Sequence, residues 1–296
     1  MADSTSGRLG ALGGEVRLVL WQQLIDALSR QPFFGYGWNQ VSVAQVAVAA
    51  EHPSAVFAEY AHNLILDLLI WNGAILGCAV FAAMGWWLMT RIRRVSSLES
   101  WFALLFILVI CTHSLFEFPY AYTYFLLPLG LCIGIVDLAP ATNTRLPRWA
   151  FAAATVIGSA ILLYTFIEYK RIEVDYQLMR FESAGIERKI PLSKAPDVVM
   201  LTQMREFIRF ARTEAKEQMS VDELDWMRKV AHRYAYAPAL LRYALALGLN
   251  HHPQEAGLEL RRLKQLNAEQ FNEVRPGWEA LIKVHPQLAQ VAFPPE

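Results

Sequence analysis

Between residues 64 and 167 the chain is almost continuously apolar, interrupted only by short polar or proline-bearing stretches. A hydrocarbon core about 30 Å thick asks for roughly 20 apolar residues per helix. Four runs are predicted as spans: 64–90, 101–116, 120–138 and 149–167. Only "HSLFEFPY" separates the second from the third, and Pro119, with no N–H and a fixed φ, predicts a helical hairpin there. Ahead of the apolar block, "RLVLWQQLIDALSRQPFFGYGWNQ" reads as an amphipathic helix ending near Arg30, then Pro32 and the turn Gly35-Tyr36-Gly37. Behind it the pattern turns charged and helix-forming, with no long apolar run. Ser220-Val221-Asp222-Glu223 predicts a capping-box start for a helix to about Tyr234. The segments "PALLRYALALGLN" and "EAGLELRRLKQLN" predict two more helices around the turn "HHPQ".

The expected fold is therefore all-α: a polytopic membrane bundle of about four transmembrane helices with a C-terminal soluble helical domain. The divisions are a loop region with its amphipathic helix at 1–63, a transmembrane domain at 64–168 and the helical domain at 169–296. Helix, short turn and helix, with Ala and Leu at spacings of three and four, make that last domain resemble a tetratricopeptide-like hairpin. Arg91, Arg93 and Arg94 follow the first span, and Arg145 and Arg148 follow the third. The positive-inside rule puts both loops in the cytoplasm, against the weaker pull of Lys170 and Arg171. Residues 1–63, the turn at 113–122 and everything after about 168 then share the outer side.

Composition agrees with a membrane protein: 55% of the 296 residues are apolar. A formal net charge of zero, without a basic run, excludes nucleic acid as a partner. Cys78, Cys111 and Cys132 lie within apolar runs and offer neither disulfide nor metal spacing. His251 and His252 form a polar turn with no third spaced ligand, so no metal and no cofactor is expected. No P-loop, G-x-S-x-G or dinucleotide fingerprint is present. The start of the chain lacks the charged and apolar pattern of a secretory signal.

Three outer-side stretches carry candidate chemistry. Arg17 lies four residues before Trp21 on the amphipathic helix, where a solvated or snorkelling arginine is the bland alternative. His62 and Asn63 stand at the mouth of the first span, with Asp67 one turn inside and four residues from Asn63. His113 and Glu117 are also four apart and suggest an anchoring pair in the aromatic belt. The expected topology brings all three to one side of the bilayer. Histidine can act as a general base near neutral pH, and arginine grips phosphate bidentately. A phosphate-bearing lipid substrate would suit both.

The succession "R-x-x-x-W", "PFFGYGW", "AHNLILDLLIWNGAILG" and "HSLFEFPYAYTYFLLPLGL" resembles the C-terminal half of the bacterial O-antigen ligase and polymerase superfamily. The last stretch and the helical tail are more similar to its protein O-oligosaccharyltransferase branch. The resemblance implies transfer of a glycan from undecaprenyl diphosphate to an acceptor hydroxyl at the outer face of the bacterial inner membrane, with no required metal. It implies that Arg17 binds the diphosphate, that His62 is the base and that Asn63 supports it. His113, Glu117 and Tyr36 would be site walls or substrate contacts. It also implies further spans upstream, making this chain look like a piece of a longer protein. The expected partners are the undecaprenyl-diphosphate-linked oligosaccharide, membrane lipids, and an exported acceptor protein such as pilin or, alternatively, lipid A core. Three readings stand: transfer to Ser or Thr of a protein; O-antigen ligation or polymerisation; and, from another class, a non-catalytic membrane-anchored helical scaffold.

Overall fold

The computed structural model describes residues 14–52, 56–138, 147–183 and 195–295. Among them the chain is helical with no strand. Its helices are α1 (Gly14–Arg30), α2 (Val41–Ala49), α3 (Leu64–Ile92), α4 (Leu98–His113), α5 (Thr123–Leu138), α6 (Arg148–Ser183), α7 (Thr202–Ala211), α8 (Val221–Arg233), α9 (Ala237–Leu249), α10 (Pro253–Leu266) and α11 (Ala268–Val284). Two are long and apolar enough to cross a membrane, α3 and α6. The second and third expected spans are the hairpin α4–α5, each helix only 16 residues long, shorter than a full span requires. Arg145, used to orient that hairpin, lies outside the described residues.

The first expected span, 64–90, is not one helix. Gly73 sits at φ 74° and ψ 173° and breaks α3 in two. The orphaned backbone groups are satisfied by the "PFFGYG" loop that precedes α2. Tyr36 N–H donates to the Ile70 carbonyl at 2.7 Å, Gly37 N–H to Trp71 at 3.1 Å, and Ala74 N–H to Pro32 at 2.7 Å. The loop thus supplies the partners that an unbroken turn of helix would have given itself. Contact this close excludes a side chain: a Cβ on Gly35 would lie 2.4 Å from the Ile70 oxygen, and one on Gly73 2.2 Å from the Phe33 oxygen. The two halves of α3 have different surroundings. Asp67, Leu68, Ile70, Trp71 and Asn72 are buried against α1 and α2, whereas 78–90 is largely exposed apolar surface, as a lipid-facing segment should be.

The fourth expected span, 149–167, lies within a longer helix. α6 continues to Ser183 without a break, so the boundary expected at 168 falls inside a helix. Its first half is exposed and apolar. Its second half packs Ile172 and Met179 against Ile208 of α7. The buried Glu168 carboxylate accepts N–H bonds from Val199 (2.6 Å), Met200 (2.8 Å) and Leu201 (3.2 Å), stitching the approach to α7 onto the membrane helix. Arg212 at the other end of α7 pairs with Asp175 (2.7 Å) and Glu182 (2.8 Å).

In the C-terminal region the capping box forms as expected. Ser220 Oγ accepts from Glu223 N–H at 3.1 Å, and Glu223 accepts from Ser220 N–H at 2.8 Å. Helices α8, α9 and α10 then alternate with tight turns around a core that includes Met227, Leu240, Leu247 and Leu260. The loop region ahead of α3 joins this core: Val46 and Ala49 of α2 pack with Leu240, Leu263, Leu266 and Phe271. Ser42 Oγ donates to the Arg233 carbonyl at 2.9 Å, and Tyr236 donates to Glu59 at 3.0 Å. Residues 41–52 and 56–59 therefore pack with the C-terminal helices.

Candidate functional site

The broken start of α3 creates a fixed mouth. Asn63 is the N-cap, its Oδ1 accepting from Leu66 N–H at 3.1 Å. Its Nδ2 donates to the Leu115 carbonyl at 3.1 Å, and Leu64 N–H donates to Ser114 at 2.8 Å, docking the α4–α5 turn beside the cap. The residue before the cap, His62, adopts φ 54°, a left-handed conformation uncommon for a side chain larger than glycine. The turn holding it is clamped from two directions. Trp21 of α1 donates its indole N–H to the Ala61 carbonyl at 2.8 Å, and Ala61 N–H donates to Asp67 at 2.9 Å. Asp67 also accepts the Tyr120 hydroxyl. Fully buried, the acid fastens the His62 turn to the turn that follows Glu117.

Glu117 is the centre of the site. One carboxylate oxygen lies 2.8 Å from His62 Nδ1, and the other 2.5 Å from an Arg17 terminal nitrogen. The second terminal nitrogen of Arg17 donates to the Phe116 carbonyl at 3.0 Å. Burial pushes the Glu117 carboxyl up, but the His62 hydrogen bond and the His62 and Arg17 charges outweigh it, holding it below the ordinary carboxylate range. The imidazole ring stands edge-on to Phe118, 4.6 Å between centroids, and Phe118 stacks on Tyr60 at 4.9 Å.

Arg17, His62 and Glu117 are thus brought together from three separate helices or turns, with Asn63 beside them. The local partner that spacing suggested for Glu117 is not the one observed. His113 is exposed, its ring touches Phe125 at 6.2 Å, and only its backbone carbonyl meets Glu117, accepting the amide N–H at 2.9 Å. Tyr36 belongs to the strap at the α3 break, with its hydroxyl donating to the Ala27 carbonyl at 3.0 Å. Sequence spacing also missed Trp21 and Phe118; it marks Tyr120 as an interfacial aromatic and, secondarily, as lining for a glycan path, not as a partner of Asp67. Among the described residues, no group of three or more His, Cys, Asp and Glu side chains converges as a metal site.

Apolar helices carrying an Arg–Glu–His cluster at one mouth, together with a helical domain, define a membrane-bound all-α protein with a polar site at its rim. The chain belongs to the family described as "Virulence factor membrane-bound polymerase, C-terminal", whose model matches residues 101–279. Two curated relatives come from Acinetobacter baylyi. A "General O-oligosaccharyltransferase" is 28% identical over 264 residues, covering 88% of this chain and 46% of the relative. A "ComP-specific O-oligosaccharyltransferase" is 33% identical over 132 residues, covering 44% of this chain and 24% of the relative. The chain therefore spans less than half the length of either relative. No solved structure gives a significant match.

Proposed function

We propose that this chain is the acceptor-activating part of an oligosaccharyltransferase of the bacterial inner membrane. It moves a glycan from undecaprenyl diphosphate to a Ser or Thr hydroxyl of an exported protein such as pilin, at the periplasmic face. The observation that carries this reading is Glu117 bridging His62 and Arg17. When His62 Nδ1–H donates to Glu117, Nε2 is left as the basic nitrogen, and the carboxylate fixes the ring's orientation. Nε2 takes the proton of the acceptor hydroxyl as its oxygen attacks the first sugar carbon, and the diphosphate departs with the bonding electrons. Diphosphate is a good leaving group, so positioning, deprotonation and charge neutralisation suffice. Arg17 supplies the neutralising charge. Its fork is already engaged by Glu117 and Phe116, so the diphosphate is gripped by its remaining N–H groups or by displacing Glu117 from them. Asn63 and Asp67 act as positioning residues, His113 and Tyr36 stand at the periphery, and we read the helical hairpins behind the site as a tetratricopeptide-like platform for the acceptor.

His62→Ala tests the reading in cells that supply the lipid-linked glycan and an acceptor pilin. Glycan transfer, followed by the acceptor's mass, should fall to near zero at unchanged membrane expression; unchanged transfer would leave only the scaffold reading. Arg17→Lys keeps the charge but loses the fork, so transfer should drop at least about tenfold, and wild-type turnover would remove the bidentate diphosphate contact. Glycan found on lipid A core or on lengthened repeats, with none on protein, would move the function to ligation or polymerisation.

A further inference from the structure

Away from the His62 cluster, a cavity of about 390 Å³ opens where α2 meets α7 and α8. That volume lies within the roughly 300–1,000 Å³ of small-molecule sites. Its walls include Gln40, Thr202, Gln203, Trp226, Arg233 and Tyr234. The cluster around His62 uses none of them. Tyr236, two residues past Tyr234 of the wall, donates to Glu59, three residues ahead of His62.

Charge on this wall is unbalanced. Arg233 is only 9% exposed, yet among the described residues no carboxylate pairs with it and its Nε has no partner. Its guanidinium reaches Ser42 Oγ at a long 3.3 Å and lies 5.2 Å from the Tyr234 ring centre. Arg228 and Lys229, also on the wall, share the single carboxylate of Asp225. The one acid lining the cavity, Glu206, is taken up by Arg205 (2.8 Å), Arg209 (3.4 Å) and the Trp226 indole (2.7 Å). A buried guanidinium without a counter-ion is unfavourable, and its planar fork matches an oxyanion such as a carboxylate or a phosphate.

We infer that this cavity binds a carboxylate-bearing saccharide, its acid group drawn to Arg233 and the Arg228–Lys229 rim. Gln40, Gln203 and Thr202 offer amide and hydroxyl partners for sugar hydroxyls, and the ring surface of Trp226 and Tyr234 left uncovered by Arg209 and Phe207 meets the sugar's C–H face. The walls are helices and helix ends, with no strand among them, and so give no sheet edge to which an extended peptide could add. Use of the cavity as a subsite for the moving glycan rests on the transfer reading; saccharide binding does not.

The test is a calorimetric titration of the detergent-purified chain with trigalacturonate, maltotriose and a short polyglutamate peptide. Trigalacturonate should bind saturably and maltotriose at least about tenfold more weakly, with the peptide no better. Lys229→Glu and Arg228→Glu are exposed changes that leave the fold intact, and each should weaken trigalacturonate about tenfold; Arg233→Lys should weaken it too. Absence of saturable trigalacturonate binding, equal affinity for maltotriose, or preference for polyglutamate overturns the inference. His62→Ala should bind trigalacturonate as wild type does. Binding that persists where His62→Ala leaves transfer intact would remove the transfer reading alone, and transfer without binding would remove the cavity's role alone.

Discussion

Glu117 couples two residues that the chain keeps far apart. Its partners His62 and Arg17 stand 55 and 100 positions away, whereas His113, four residues off on the same helical face, is the neighbour that local spacing favours. Residue type, an expected place on one side of the bilayer and the family resemblance together marked His62 and Arg17 as candidates. Their bridge was illegible, since a carboxylate takes whichever donors the tertiary fold delivers. Glu117→Gln keeps the shape but loses the charge, and should lower transfer by about 100-fold in the mass assay, the scale of a misplaced general base. A carboxyl whose folded pKa is depressed stabilises the fold above its unfolded value and loses that contribution as pH falls through the folded one. The part of the melting difference between wild type and Glu117→Gln that comes from the carboxyl should therefore shrink as pH falls through and below the ordinary carboxylate range.

At the scale of elements, the helices of the C-terminal region and their cap were legible because each signal is local. Ser220 and Glu223 are three residues apart and satisfy one another's backbone without help from the rest of the chain. The break in α3 was not legible, because apolar character runs straight through Gly73 and only the pair Asn72-Gly73 hints at a turn. What decides it is the loop at 32–37, which fills the gap and requires glycine at both contacts. Gly73→Ala combines a left-handed φ with a clash against the Phe33 backbone. It should destabilise the protein by about 3 kcal/mol or more, measured as a lower melting temperature in detergent. The hairpin α4–α5 was legible from Pro119, but its turn was drawn too short: α4 ends at His113, three residues before the expected end, and α5 starts at Thr123, three after the expected start. The freed residues form the turn that carries Glu117.

Across the whole molecule, the loop region and the helical tail behave as one body. The sequence offered topology for this, through the arginines after the first span, but no sign that α2 would enter the tail's core. That contact depends on Val46 and Ala49 meeting Phe271 across more than 200 residues of chain. Phe271→Ala, at a site 1% exposed, should cost about 3–5 kcal/mol and leave residues 41–49 newly open to proteolysis, which limited digestion with mass mapping would detect.

The broken helix also works as a depth gauge. From the break onward, 74–92 measures about 28 Å at 1.5 Å per residue, close to the hydrocarbon thickness by itself. Residues 64–72 are then surplus to crossing, and their burial in protein frees them from the acyl chains. Phe33 and Phe34, exposed at the strap, and Ile75 and Leu76 just past the break mark where lipid begins. On the proposed transfer reading, the break therefore keeps His62 outside the hydrocarbon, on the water side of the segment that crosses it.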